Sequence, residues 1–137
     1  MKIIYRISYS VIILAILLIA WGVYSCCYPH KVMTINSVEI ITPEVARGEG
    51  VRYKLDYCKY KNIESTIKKY LADGIIVPYA ITKSRASVGC REVIITEKIP
   101  KFVNPGEYTI QAFISYDINP LKTITIEYET NKFKITE

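Results

Sequence analysis

The residues able to do chemistry in this chain are few and dispersed. The four cysteines are Cys26, Cys27, Cys58 and Cys90, and His30 is the sole histidine. A Ser-His-Asp or Cys-His arrangement would have to be assembled around His30, which directly follows an apolar segment. No Cys-x-x-Cys spacing is present, and one histidine makes a poor zinc ligand set. Gly48 and Gly50 lack the following Lys-Ser/Thr of a phosphate-binding loop. The carboxylates Glu92, Glu97, Glu107, Asp117, Glu127 and Glu129 fall mostly on expected solvent-facing strand positions, where a solvated surface explains them better than an acid/base pair. The expectation is a non-enzyme with no cofactor and no metal.

Cys58 and Cys90 are expected to form a disulfide. They lie 32 positions apart in segments that read as strand ends. In an oxidising compartment such a bridge contributes roughly 3 to 4 kcal/mol by loop entropy. Cys26 and Cys27 are adjacent and cannot easily bridge to each other. Acylation, an intermolecular bridge or a plain interfacial role all stay open for them.

These residues must be positioned by an apolar segment and a β-rich remainder. Ile7 to Tyr24 carries no charge, and Val11 to Val23 is apolar throughout. As a helix it spans roughly 27 Å, close to the hydrocarbon thickness of a bilayer. Lys2 and Arg6 precede the run, which favours a cytoplasmic N-terminus and a periplasmic or extracellular remainder. Tyr5 and Tyr9 at one end, with Trp21, Tyr24 and Tyr28 at the other, suit the two membrane interfaces. The expected anchor is 1–25, with a linker at 26–31 and contact with the lipid bilayer through 7–24. Two alternatives remain: a signal peptide cleaved after Ser25, and a lipoprotein acylated at Cys26, although Tyr24 fits a lipoprotein box poorly.

About 105 residues remain, enough for one small domain at 32–137. Of the 18 Lys/Arg, Lys2 and Arg6 belong to the anchor, leaving 16 against 13 Asp/Glu, a net of +3. That mild excess suits a solvated surface, and nucleic acid is not an expected partner. Strand signals dominate from Val32 onward. Val32 to Ile41 opens as a strand, and a turn at 47–50 follows. Val51, Tyr53, Leu55 and Tyr57 then alternate onto one face. Residues 64–71 have helical spacing, but Asp73-Gly74 followed by Ile75 to Pro78 favours strand, turn, strand. Thr82 to Gly89 reads as an exposed loop, and Arg91 to Lys98 as the next strand. Tyr108, Ile110, Ala112, Ile114 and Tyr116 line one face of the longest strand. Asn119 to Leu121 turns it back into Thr123 to Glu129, and Phe133 to Ile135 completes an edge. Seven or eight short strands over this length predict a two-sheet sandwich.

The stretch Ile99-Pro100 to Pro105-Gly106-Glu107-Tyr108 resembles immunoglobulin-like or fibronectin-like β-sandwich modules of bacterial and bacteriophage surface proteins. The resemblance implies a mainly β fold, an N-terminal transmembrane helix followed by an immunoglobulin-like antiparallel β-sandwich. It also implies a corner hydrogen bond from Tyr108 to nearby backbone. Ile110 stands where an antibody domain has its second intersheet cysteine, and the domain lacks a core tryptophan. The Cys58 to Cys90 bridge is therefore not inherited from antibodies, and is expected to tie the end of the second long strand to the start of the strand after the 82–89 loop.

Twelve tyrosines supply the one compositional hint of recognition. Tyr53, Tyr57, Tyr108 and Tyr116 are expected in the core. Tyr60, Tyr70 and Tyr79, with Arg85 and Asn119 in the loops, are the candidate contacts for an unknown protein partner. The expected role is a non-catalytic, membrane-tethered interaction module. A phage-encoded lysis or envelope-modifying factor, acting by assembly, is the alternative, and an envelope enzyme would require an exposed polar pocket.

Overall fold

The computed structural model describes residues 2–27, 31–73 and 76–137, without the side chains of 2–8 and Tyr79. Among these residues one helix, α1 (Lys2–Cys27), precedes nine strands. These are β1 (Met33–Ile40), β2 (Glu44–Ala46), β3 (Gly50–Lys59), β4 (Ser65–Ala72), β5 (Ile76–Ser84), β6 (Gly89–Lys98), β7 (Gly106–Asn119), β8 (Lys122–Glu129) and β9 (Phe133–Thr136). The fold is mainly β.

Helix α1 is long and apolar enough over Tyr9–Cys27 to cross a membrane, and only 6% of that window is buried. Among the described side chains, Tyr9, Val11 to Leu14, Ile16 to Ile19, Trp21, Val23 and Tyr24 are all exposed, so hydrophobicity is left exposed all round. The helix continues through Cys27, two residues past the expected anchor boundary. Once a run of apolar residues has paid for helix nucleation, Ser25 to Cys27 extend it at little further cost. Tyr28 and His30 lie outside the described residues, as do the side chains of Lys2, Tyr5 and Arg6.

Strands β1, β3 and β6 form a three-stranded antiparallel sheet in that order. The second sheet runs β2-β9-β7-β4-β5, with β8 on β7. Strand β7 is long enough to pair β9 through its first residues and β8 through its later ones, with β4 along its other side. Alternation decides which faces meet. Val51, Tyr53, Leu55 and Tyr57 of β3 are buried, as are Tyr108, Ile110, Ala112, Ile114 and Tyr116 of β7. Together with Leu71, Phe133 and Ile135 they form one core drawn from both sheets. Fully burying each Val, Leu, Ile or Phe among them contributes about 1.5 to 3 kcal/mol. Tyr53 and Tyr128 are buried with their hydroxyls 3.1 Å apart, so two polar tips satisfy each other across the core.

Four expectations need correction. Thr82 to Ser84 belong to β5 and Gly89 to β6, because pairing with Thr66 and Cys58's neighbour Lys59 extends both strands into what reads locally as a polar loop. Strand β9 is not an edge: it lies between β2 and β7. The short strand β2 gave no periodic signal, since three residues with one buried Val45 are too few to show alternation. Its pairing with β9 is parallel, so the domain is not purely antiparallel. Strands β4 and β5 pair antiparallel, with Ala72 facing Ile76; the expected turn at Asp73-Gly74 falls on Gly74 and Ile75, which lie outside the described residues. At Gly50 a Cβ would meet Thr96 Cγ2 at 2.8 Å, which explains glycine where β3 starts against β6.

The registers give the domain two ends. Met33, Lys59 and Gly89 lie side by side at one, with Ser65, Ser84 and Tyr116. At the other, Gly50 faces Lys98, Ala72 faces Thr109 and Ile76, and Gly106 faces Ile135.

Candidate functional site

The first end receives the helix. The last turn of α1 carries no basic residue of its own, and its terminal carbonyls need donors. Lys122 Nζ donates to the Cys26 carbonyl at 2.9 Å, and Asn119 Nδ2 reaches the Ser25 carbonyl at 3.5 Å. A cation at a helix C-terminus is also favoured by the helix dipole. Asn119 is doubly committed, because its Oδ1 accepts from the Leu121 backbone N–H at 2.9 Å and shapes the β7–β8 turn.

Charge collects around this junction. Lys31 sits 4.8 Å from the centre of the Tyr60 ring. The Tyr60 hydroxyl lies 3.0 Å from Thr34 Oγ1, and that hydrogen bond, reinforced by Lys31, draws the phenol below its ordinary value. Arg85 Nε and Nη2 both contact Glu64 Oε2 at 2.8 Å, with Lys83 at 3.9 Å from the same carboxylate. The Arg85 hydrogen bond and charge hold the Glu64 carboxyl below its usual range. Arg91 Nη2 donates to Ser87 Oγ at 2.6 Å. Lys31, Lys61, Lys83, Arg85 and Lys122 thus stand at this end with Glu64 and Asp117. Leu121, 63% exposed, and Val88 project among them.

The disulfide closes the same end. Cys58 and Cys90 face each other directly across β3 and β6. The bridge therefore ties the end of β3 to the start of β6, as expected. Cys26 and Cys27 are free and exposed on the last turn of α1.

The far end is built differently. The loop between β6 and β7 is pinned by buried Ile99 and Val103. Ile99 N–H donates to the Glu49 carbonyl at 2.8 Å, and Val103 N–H to the Pro100 carbonyl at 3.3 Å. Tyr108 donates its hydroxyl proton to the Asn104 carbonyl at 2.9 Å, the corner bond implied by the resemblance. Burial, and then the nearby Asp73 carboxylate, raise the Tyr108 phenol above its ordinary value. With its neighbours fixed, Phe102 is held out and is 73% exposed. It borders a hollow of about 250 Å³ floored by Val77, Val103 and Tyr108, and exposed Ile76 lies on the adjacent hairpin.

The five expected partner contacts do not form one patch. Tyr60, Arg85 and Asn119 gather at the helix end. Tyr70 packs edge-on against Phe113, ring centres 5.6 Å apart, and the Tyr79 side chain lies outside the description. The outward register of Tyr70 and Phe113 places that pair on the solvent face of the second sheet. Phe102 escaped the sequence reading. A lone aromatic between Pro100 and Pro105, outside any alternating run, was its available signal.

No protein-family model matches the chain, and comparison with curated proteins finds no match. Among solved structures, the C-terminal domain of wzt is similar at a TM-score of 0.48 and 9% identity, over 80% of this chain and 77% of that one. The Pseudomonas fluorescens alkylpurine DNA glycosylase AlkC, bound to DNA with an abasic site analogue, gives 0.46 and 6% identity over 80% of this chain. The Erythrobacter marinus b-glucosidase EmGH1 gives 0.47 and 11% over 76%. This chain spans 32% of the glycosylase and 15% of the glucosidase. Such distant likeness assigns neither family nor function.

Proposed function

We propose that the chain is a non-catalytic, single-pass membrane-tethered interaction module. In this reading α1 crosses the bilayer from a cytoplasmic N-terminus and holds an immunoglobulin-like β-sandwich on the periplasmic or extracellular side. The observation that carries it is the polarity of the domain: α1 joins one end, and Phe102, the most exposed aromatic among the described residues of the domain, stands at the other. The basic helix end faces the lipid headgroups of that side. Leu121 and Val88 enter the interface beside them. Partner contact moves from the expected loops, which lie beside the helix, to the far end, where an exposed aromatic beside a hollow suits a protein anchor.

A photo-crosslinking amino acid placed at Phe102 in membranes, with the same probe at exposed Ile81 as the control, tests the placement. A discrete adduct from 102 and none from 81 is expected. Equal labelling from both would remove the far end from the proposal. Protease protection of tags at each terminus tests the orientation, and digestion of both tags from one side would overturn it. Intact mass of the membrane-extracted protein reports whether Cys26 is acylated.

A further inference from the structure

The core of the domain is not filled by its own side chains. A cavity of about 170 Å³ lies between β3 and β6 on one side and β4 and β7 on the other. It sits where the last strands of the two sheets, β6 and β5, are not hydrogen-bonded to each other. Strand alternation aims two lysines inward there, Lys59 on β3 and Lys69 on β4, only 2% and 6% exposed. Inward positions of paired strands are ordinarily apolar.

The two lysines differ. Lys69 is paired with Glu97, which projects from the inner face of β6. Lys59 has no carboxylate partner among the described residues. Its ammonium donates to the Ile63 and Ala86 carbonyls, each at 2.8 Å, and lies 5.6 Å from the centre of the Tyr116 ring. Burial, and then the like charge of Arg91, hold its pKa below the ordinary lysine value. Two carbonyls leave one of its three N–H donors unassigned. A buried charge is costly unless it is paired and fully hydrogen-bonded.

Along the cavity, Lys59, Ser65 and the Tyr116 ring mark the end nearest α1, the body is walled by Leu55, Ile67, Val93, Ile95 and Ile114, and Lys69, paired with Glu97, lines it beyond Ile67 on β4. We propose that it binds a small amphipathic carboxylate, with the carboxylate on the Lys59 ammonium and the apolar body among those five aliphatic side chains. A dry apolar cavity of roughly 150 Å³ accommodates benzene, so a body of about six or seven carbons fits this one. The charge-assisted bond at Lys59 supplies selectivity for an anion over an alcohol of equal length.

The test titrates the full chain in nanodiscs with octanoate and, separately, octan-1-ol, by calorimetry. Saturable octanoate binding is expected, about tenfold tighter than octan-1-ol. Ile95→Trp, which fills the body while leaving Lys59 in place, should abolish it. Lys59→Gln, which retains donors for the two carbonyls, should weaken octanoate by about tenfold and leave octan-1-ol unchanged. Absence of saturable octanoate binding to the unaltered chain in the millimolar range overturns the proposal. So does undiminished binding to Ile95→Trp, or equal affinity for acid and alcohol. The acid-against-alcohol comparison uses no variant, so it decides the matter even if a substitution fails to fold.

Discussion

The two ends of the domain are built on opposite principles. At the helix end many polar groups are committed to one another: Lys122 and Asn119 to the helix, Arg85 to Glu64, Arg91 to Ser87, and Cys58 to Cys90. At the far end the commitments lie underneath, in Ile99, Val103 and the Tyr108 bond, and Phe102 is left over. An end that spends its polar groups internally is suited to bearing a load. An end that fixes its backbone yet leaves an aromatic in solvent has surface to offer. The difference teaches that exposed polar loop residues are weak pointers to partner contact when nearby structure already uses them.

The sharpest way to break this contrast is the disulfide. Replacing Cys58 and Cys90 together by serine should lower stability by about 3 to 4 kcal/mol, from the 32-residue separation it closes. Denaturant unfolding with and without reductant measures this, and a loss below about 1 kcal/mol would mean the helix end does not depend on its crosslink. At the far end, Tyr108→Phe removes one hydrogen bond to Asn104 and should cost about 1 kcal/mol. A larger loss would place the structural load at the wrong end.

Phe102→Asp should change stability by less than about 0.5 kcal/mol, since the side chain is mostly in water. In membranes the same substitution should abolish the adduct formed from a probe placed at Ile76. Persistence of that adduct would separate Phe102 from the contact surface. Arg85→Ala should leave the melting temperature unmoved, because its pair with Glu64 is solvent-exposed. It should, however, weaken the salt-sensitive approach of the helix end to anionic nanodiscs, read by fluorescence quenching from the headgroup region.

The core common to both ends carries a pH signature. Burial raises the Tyr116 and Tyr128 phenols above the ordinary value of 10.0; at Tyr128 the Tyr53 hydrogen bond opposes this and Glu97 adds to it. The folded state therefore keeps protons that the unfolded chain has released. Their contribution is intact below pH 10 and declines as pH rises through the folded values. Urea midpoints on either side of that threshold should show the decline, and Tyr128→Phe should make it shallower.

The strands with long alternation, β3 and β7, were legible because four apolar inward positions in β3 and five in β7 leave one arrangement that buries them. Strand β2 and the true extents of β5 and β6 were not, since their pairing comes from partners distant in the chain. For the same reason Tyr60, Arg85 and Asn119 could be picked out as polar loop residues without any sign that they share the helix end.

The linear order of residues by itself determined the apolar helix, the β character of the remainder and the pairing partners Cys58 and Cys90. Each rests on local composition, on a period of two, or on simple thiol arithmetic. Tertiary structure alone decided that β9 is interior to its sheet, that Phe102 stands opposite the helix, and that Lys59 and Lys69 point into a common cavity with a single carboxylate between them. Those are facts of register and facing, and register is set by which distant strands bury one another.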